Sequence, residues 1–207
     1  ETACDYLNAG CPNDAIRILE APTRLELSET ATRHYLLALA YVQKGLRAQA
    51  EEHSLLAWRS DTEYLFPWRL EDLLALKEVL NLRPNDALAR YAMGNWLMAH
   101  DQPDEALLEW LRALDAKAVA QALTQEEVSA ETVGARRYRR RWRALAKTCL
   151  QAKPPKDMPQ LVTLYRNVGM ALSTVCQLFD VGERYYNRAI ALAPNDRYLW
   201  LERETFA

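Results

Sequence analysis

Arg90-Tyr91-Ala92-Met93-Gly94-Asn95-Trp96-Leu97, followed by Asp101, Ala106 and Ala113, decides the fold, because its order recurs three times. Upstream stands His34-Tyr35-Leu36-Leu37-Ala38-Leu39-Ala40-Tyr41, followed by Gly45, Ala50 and Ala57. Downstream stands Tyr165-Arg166-Asn167-Val168-Gly169-Met170-Ala171-Leu172, followed by Cys176, Gly182 and Ala189, with one extra residue between Gly169 and Gly182. A small residue in a first helix (Ala38, Gly94, Gly169) lets a second helix come close. A small residue early in that partner (Ala50, Ala106, Gly182) completes the contact. A bulky one four positions on (Trp110, Tyr186) then packs outward, a rule that Ser54 breaks.

Composition agrees with helices throughout. Alanine, leucine, glutamate and arginine, which lose little on entering a helix, dominate the 207 residues, and there are only 6 glycines. Runs of alternating β-branched residues are absent, so no strand is expected. Half the chain is apolar, enough for a sizeable core. The class is all-α.

The paired-helix order resembles the tetratricopeptide repeat, whose period is about 34 residues and whose late proline joins one repeat to the next. Pro84 and Pro194, each followed by Asn-Asp, match that turn and offer a cap to the following helix. The expectation is one tetratricopeptide-like α-solenoid over 1–207, of ten to twelve helices. Repeats fall near 1–22, 30–60, 87–116 and 161–194, with a half-repeat at 69–83, where Leu70, Leu73, Leu74, Leu76 and Leu80 share a face. Phe66-Pro67-Trp68-Arg69-Leu70-Glu71, Glu105-Ala106-Leu107-Leu108-Glu109-Trp110 and Tyr186-Asn187-Arg188-Ala189-Ile190-Ala191-Leu192-Ala193-Pro194 are similar to a narrower group. These are bacterial proteins in which a β-rich N-terminal domain of unknown function precedes such an array. The resemblance implies a piece of a longer protein, as does a start at Glu1 rather than Met.

Residues 117–160 depart from the repeat. Thr124-Gln125-Glu126-Glu127 reads as a capping box, so a helix start is expected near Gln125, with a bend or restart around Gly134 and a run to about Ala152. Pro154-Pro155 forces an exit, with re-entry near Asp157. Between Arg136 and Lys156 the chain carries nine Lys or Arg and no acid, which leaves −11 (−2 minus 9) on the remainder. Helical spacing puts Arg136, Arg139, Arg140 and Arg143 on one face, with Arg137 and Arg141 adjoining. Tyr138, Trp142, Leu145 and Cys149 fall on the other, to dock on the array. Two uses stay open for the arginines. They can pair with neighbouring acids such as Glu105 and Glu109, or they can meet phosphates or an acidic protein surface.

The chemistry of catalysis is missing from this pattern. His34, His53 and His100 offer no i, i+4 metal pair, and no glycine-rich phosphate loop or GxSxG elbow occurs. Neither enzyme activity, nor a catalytic or metal-ligating residue, nor a cofactor is expected. Trp110 should be core, Trp58, Trp68 and Trp96 should pack between repeats, and Trp200 should cover an open edge or meet another chain. Cys4, Cys11, Cys149 and Cys176 lack CxxC spacing, as in a reducing compartment, so a cytoplasmic location is expected. No stretch approaches the roughly 20 apolar residues that span a bilayer.

In a solenoid the first helices line the concave side. The register therefore assigns a protein- or peptide-binding groove to Tyr35, Leu39, Val42, Tyr91, Asn95, Met98, Arg166, Met170 and Ser173. Tetratricopeptide adaptors that clasp chaperone tails use a lysine and an asparagine where this chain has Tyr35 and Leu39, which argues against that ligand. The expected function is a non-enzymatic scaffold for a protein partner or an absent N-terminal domain. The alternatives are nucleic-acid or acidic-ligand binding through Arg136, Arg139, Arg140, Arg141 and Arg143, and an accessory role beside a carbohydrate-acting domain. Homo-oligomerisation stays open.

Overall fold

Short left-handed turns set the rhythm of this chain. Gly10 (φ 69°), Gly45 (φ 73°), Asp101 (φ 55°) and Gln177 (φ 55°) each stand two residues before a helix begins. A glycine enters that region without steric cost, whereas Asp101 and Gln177 do so against it. The computed structural model describes residues 2–21, 30–60, 62, 65–127 and 135–206. Among them the chain forms eleven α-helices and no strand. They divide into two compact units, Glu1–Ala99 and His100–Ala207.

The first unit holds α1 (Thr2–Asn8), α2 (Pro12–Glu20), α3 (Ala31–Gln43), α4 (Arg47–Arg59), α5 (Leu70–Leu82) and α6 (Ala87–Ala99). Helix α3 lies at its centre, packed on α2, α4 and α5, and α6 packs on α5. The small residues do what their spacing implies: Ala38 and Ala50 are completely buried where α3 meets α4. Leu37, Leu76 and Leu88 fill the interior, while Leu70 and Leu74 of α5 stay exposed. Asp86, which follows Pro84-Asn85, accepts a bond from the Ala89 amide at 3.0 Å and so caps α6. Its other carboxylate oxygen lies 3.1 Å from the Arg83 guanidinium.

The second unit holds α7 (Pro103–Glu127), α8 (Ala135–Gln151), α9 (Leu161–Thr174), α10 (Phe179–Leu192) and α11 (Arg197–Phe206). Helix α7 packs on α8 and α9, α8 on α10, and α9 on α10 and α11. Its interior is built from Leu107, Trp110, Leu111, Leu145, Leu164 and Tyr185, all buried. Helices α9 and α10 meet most closely at Gly169 and Gly182. A Cβ on Gly182 would lie 2.8 Å from the Gly169 carbonyl oxygen and 2.2 Å from Ser173 Oγ, so only glycine fits this approach.

The segment between repeats differs from its sequence reading. Among the described residues no helix starts near Gln125. Helix α7 instead breaks at Asp115 (φ −157°, ψ 90°), whose carboxylate accepts from the Ala118 amide at 2.8 Å and caps the portion that follows. Thr124 lies inside that portion and donates to the Ala120 carbonyl at 2.9 Å. Thr124 therefore stands inside a helical portion that Asp115, nine residues earlier, caps at its start, and not at a helix N-terminus. The bend or restart expected at Gly134 lies outside the described residues. After Pro154-Pro155 the chain re-enters helix at Leu161, not near Asp157, which takes a left-handed turn conformation (φ 56°).

The tryptophans sort by position. Trp110 is buried, and Trp96 is buried with its indole donating to the Arg69 carbonyl at 2.8 Å. Trp68 is 65% exposed, with the Arg69 guanidinium over its ring at 4.8 Å, and so is not buried between repeats as expected. Trp200 is half-exposed, with its indole on the Pro194 carbonyl at 3.1 Å.

Candidate binding surfaces

The nine positions assigned to a groove fall into two kinds. Tyr35, Leu39, Tyr91 and Ser173 are interior side chains. Helix α5 packs on α3, and Arg83 and Asp86 lie close enough to Tyr35 to act on its hydroxyl, which burial raises well above its ordinary pKa. Among the described residues that hydroxyl has no hydrogen-bond partner. Helical spacing tells which residues share a face but not how tightly the next element covers it. Of the set, a ligand could reach only Val42, Asn95, Met98, Arg166 and Met170, which are partly exposed.

Two of those five already serve the fold. The Asn95 amide donates to the Leu65 carbonyl at 3.4 Å. Arg166 grips Glu202 of α11 with both arms of its guanidinium, Nε to Oε2 at 2.7 Å and Nη2 to Oε1 at 2.5 Å. Such a two-bonded fork holds α9 to α11 with defined geometry. Val42, Met98 and Met170 remain as the reachable apolar positions of the first helices.

Helix α8 follows its sequence reading on both faces. Trp142, Leu145 and Cys149 are buried, and the Tyr138 hydroxyl donates to Asp104 and stands 3.8 Å from Cys176 Sγ. The aromatic side chains of α8 are therefore used for packing, with Tyr138 edge-on to Trp142 at 6.2 Å. Arg136, Arg139, Arg140 and Arg141 are exposed and Arg143 partly so. Arg139 donates to Gln177 and Arg143 pairs with Asp180, while the Arg141 guanidinium lies 5.8 Å from the Trp142 ring. The Arg143 bond holds the Asp180 carboxyl below its usual range.

One relation was invisible in the sequence. The bonds from α8 towards α10 are Arg139 to Gln177, Arg143 to Asp180, Tyr185 hydroxyl to the Ala146 carbonyl at 2.8 Å, and Arg188 to the Leu150 carbonyl at 3.2 Å. Both members of each pair advance together, so the two helices run parallel. Where the C-terminal end of α8 meets the middle of α10 lies an open groove of about 410 Å³ lined by Leu150, Gln151, Arg184, Asn187 and Arg188. Arg184 and Arg188 sit in a mixed-charge helix, and no sequence pattern distinguishes them from ordinary surface residues.

A second polar cluster joins α3 to α4. His34 Nδ1 and His53 Nδ1 stand 3.0 Å apart, their rings stacked, and Tyr41 also stacks on His53 at 5.2 Å. Tyr41 donates to Glu20 at 2.7 Å. No group of three metal-binding side chains occurs among the described residues. All four cysteines are free thiols. Burial pushes Cys149 up to about 12 and Cys176 up to about 11, so neither is a thiolate at neutral pH.

No protein-family model and no curated protein matches this chain. Among the described residues no helix is long and apolar enough to cross a membrane.

Proposed function

We propose that this chain is a tetratricopeptide-like helical scaffold that binds a protein partner and carries out no reaction. The observation that supports this most is the reuse of one joint. Small residues are completely buried in the packed pair α3 and α4 (Ala38, Ala50) and meet across α9 and α10 (Gly169, Gly182), each pair of helices joined through a left-handed turn. Repeated joints of this kind build extended surfaces rather than enclosed pockets. Buried free thiols fit a reducing compartment, and on that ground we place the chain in the cytoplasm.

The reachable first-helix positions are the place to test it. Met98→Glu and Met170→Glu put charge on partly exposed side chains without emptying the core. Partners captured by the wild-type chain are expected to be lost by the double variant while its helical circular dichroism is retained. An unchanged set of partners would sink the first-helix assignment. A second reading, recognition of an acidic ligand through α8, is favoured by the exposure of Arg136, Arg140 and Arg141.

A further inference from the structure

The parallel register of α8 and α10 makes a surface that neither helix makes alone. Helix α8 holds seven Lys or Arg and no acid. Among them Arg136, Arg140, Arg143 and Lys147 recur at i, i+4, i+7 and i+11, which is one stripe of a helix. It runs beside the residues that touch α10, and Arg136, Arg140 and Lys147 are exposed. Helix α10 answers with Arg184 and Arg188, exposed and one turn apart. The acid nearest the stripe, Asp180, is already held by Arg143, and Glu183 is the other acid on α10.

We infer that the seam between α8 and α10 is a docking strip for a Glu- or Asp-rich segment of a partner protein, which deepens the scaffold reading and rests on it. Charge complementarity chooses the occupant. From Arg136 to Lys147 the stripe is about 16 Å long at 1.5 Å per helical residue, the span of about five extended peptide residues. Arginine forks suit carboxylates. The groove where the end of α8 meets the middle of α10 adds Gln151 and Asn187, whose amides suit a peptide backbone, next to Arg184 and Arg188. Nucleic acid fits less well, because the aromatics interleaved with the arginines are turned to other work. Trp142 is 3% exposed and the Tyr138 hydroxyl is engaged by Asp104, which leaves neither as a stacking platform for bases.

The experiment is fluorescence anisotropy of fluorescein-labelled octaglutamate with the whole chain at low salt, repeated with an octathymidylate oligonucleotide. The variant is Lys147→Glu with Arg184→Glu, both exposed positions, its fold checked by circular dichroism. Saturable octaglutamate binding is expected, weakened at least tenfold in the variant, weakened by salt, and unaffected by Met98→Glu with Met170→Glu. Three results would overturn the strip: no binding, equal binding by the folded variant, or octathymidylate held more tightly than octaglutamate through the same residues. A variant that does not fold is replaced by Arg140→Gln with Arg184→Gln, read the same way. If octaglutamate fails while wild-type chain still holds partners that Met98→Glu with Met170→Glu loses, the strip falls and the scaffold stands. If those partners are absent too, both fall.

Discussion

Gly182 is the residue on which the α9–α10 joint turns. Its missing side chain leaves room for the Gly169 carbonyl oxygen, and Ser173 Oγ occupies the space a Cβ would take. A serine hydroxyl can rotate away, but a carbonyl in mid-helix cannot without moving the backbone. Gly182→Ala is therefore expected to cost about 1–3 kcal/mol, the usual range for overpacking a filled interior. At Gly169 the nearest atoms to an added Cβ are the Tyr186 ring at 3.0 Å and the Gly182 carbonyl at 3.1 Å, so Gly169→Ala should cost less. Urea unfolding of the two variants checks the order, and a milder loss for Gly182→Ala would mean the helices slide apart easily. Both glycines were legible as close-approach positions in the sequence. The four interior groove positions were not, since burial depends on what another element does to a face.

At the scale of elements, the α3–α4 pair carries a pH dependence. Two Nδ1 atoms 3.0 Å apart share one proton, so at least one imidazole must be neutral for the bond to hold. Burial, then the neighbouring His34, lowers the His53 pKa, and Glu20 and Glu52 oppose this while Arg33 adds to it. The folded state thus binds fewer protons than the unfolded chain as pH falls. Stability contributed by this pair is complete above the unfolded value of about 6.5 and is lost as pH drops below it. Thermal melts at pH 7.5 and 5.5 should show a lower midpoint in acid, and His53→Gln should flatten the difference; an equal acid loss in that variant would place the effect elsewhere. Nothing in the residue spacing announced this pair. His34 and His53 are 19 positions apart, and only the turn at Gly45 brings α4 back along α3. Helix boundaries show the same division. Asp115 and Thr124 both carry capping chemistry, and the choice between them went to the residue that the packing of α7 left at a break.

At the scale of the molecule, the chain forms two compact units that divide between α6 and α7. Periodicity alone joins Gly94 to Ala106 as one repeat and reads 1–207 as a single array. Each unit has its own interior. Residues 100–207 contain Trp110, Leu145, Leu164 and Tyr185 as buried anchors. Expressed alone, this unit is expected to be helical and to melt in one cooperative transition. A broad, non-cooperative melt would mean that it cannot fold without residues 1–99. Circular dichroism decides between them.

Helix formation and the apolar stripe of each helix are local properties, set by propensity and by spacings of three and four residues, and the amino-acid sequence determined them unaided. The all-helical class, the small-residue joints, the caps after Pro84 and Pro194, and the buried face of α8 all follow from it. The tertiary structure alone decided the depth at which Tyr35 and Tyr91 lie, the meeting of His34 with His53, and the parallel run of α8 beside α10. Those depend on the close packing of side chains from elements far apart in the chain, and short-range periodicity carries no record of such distances.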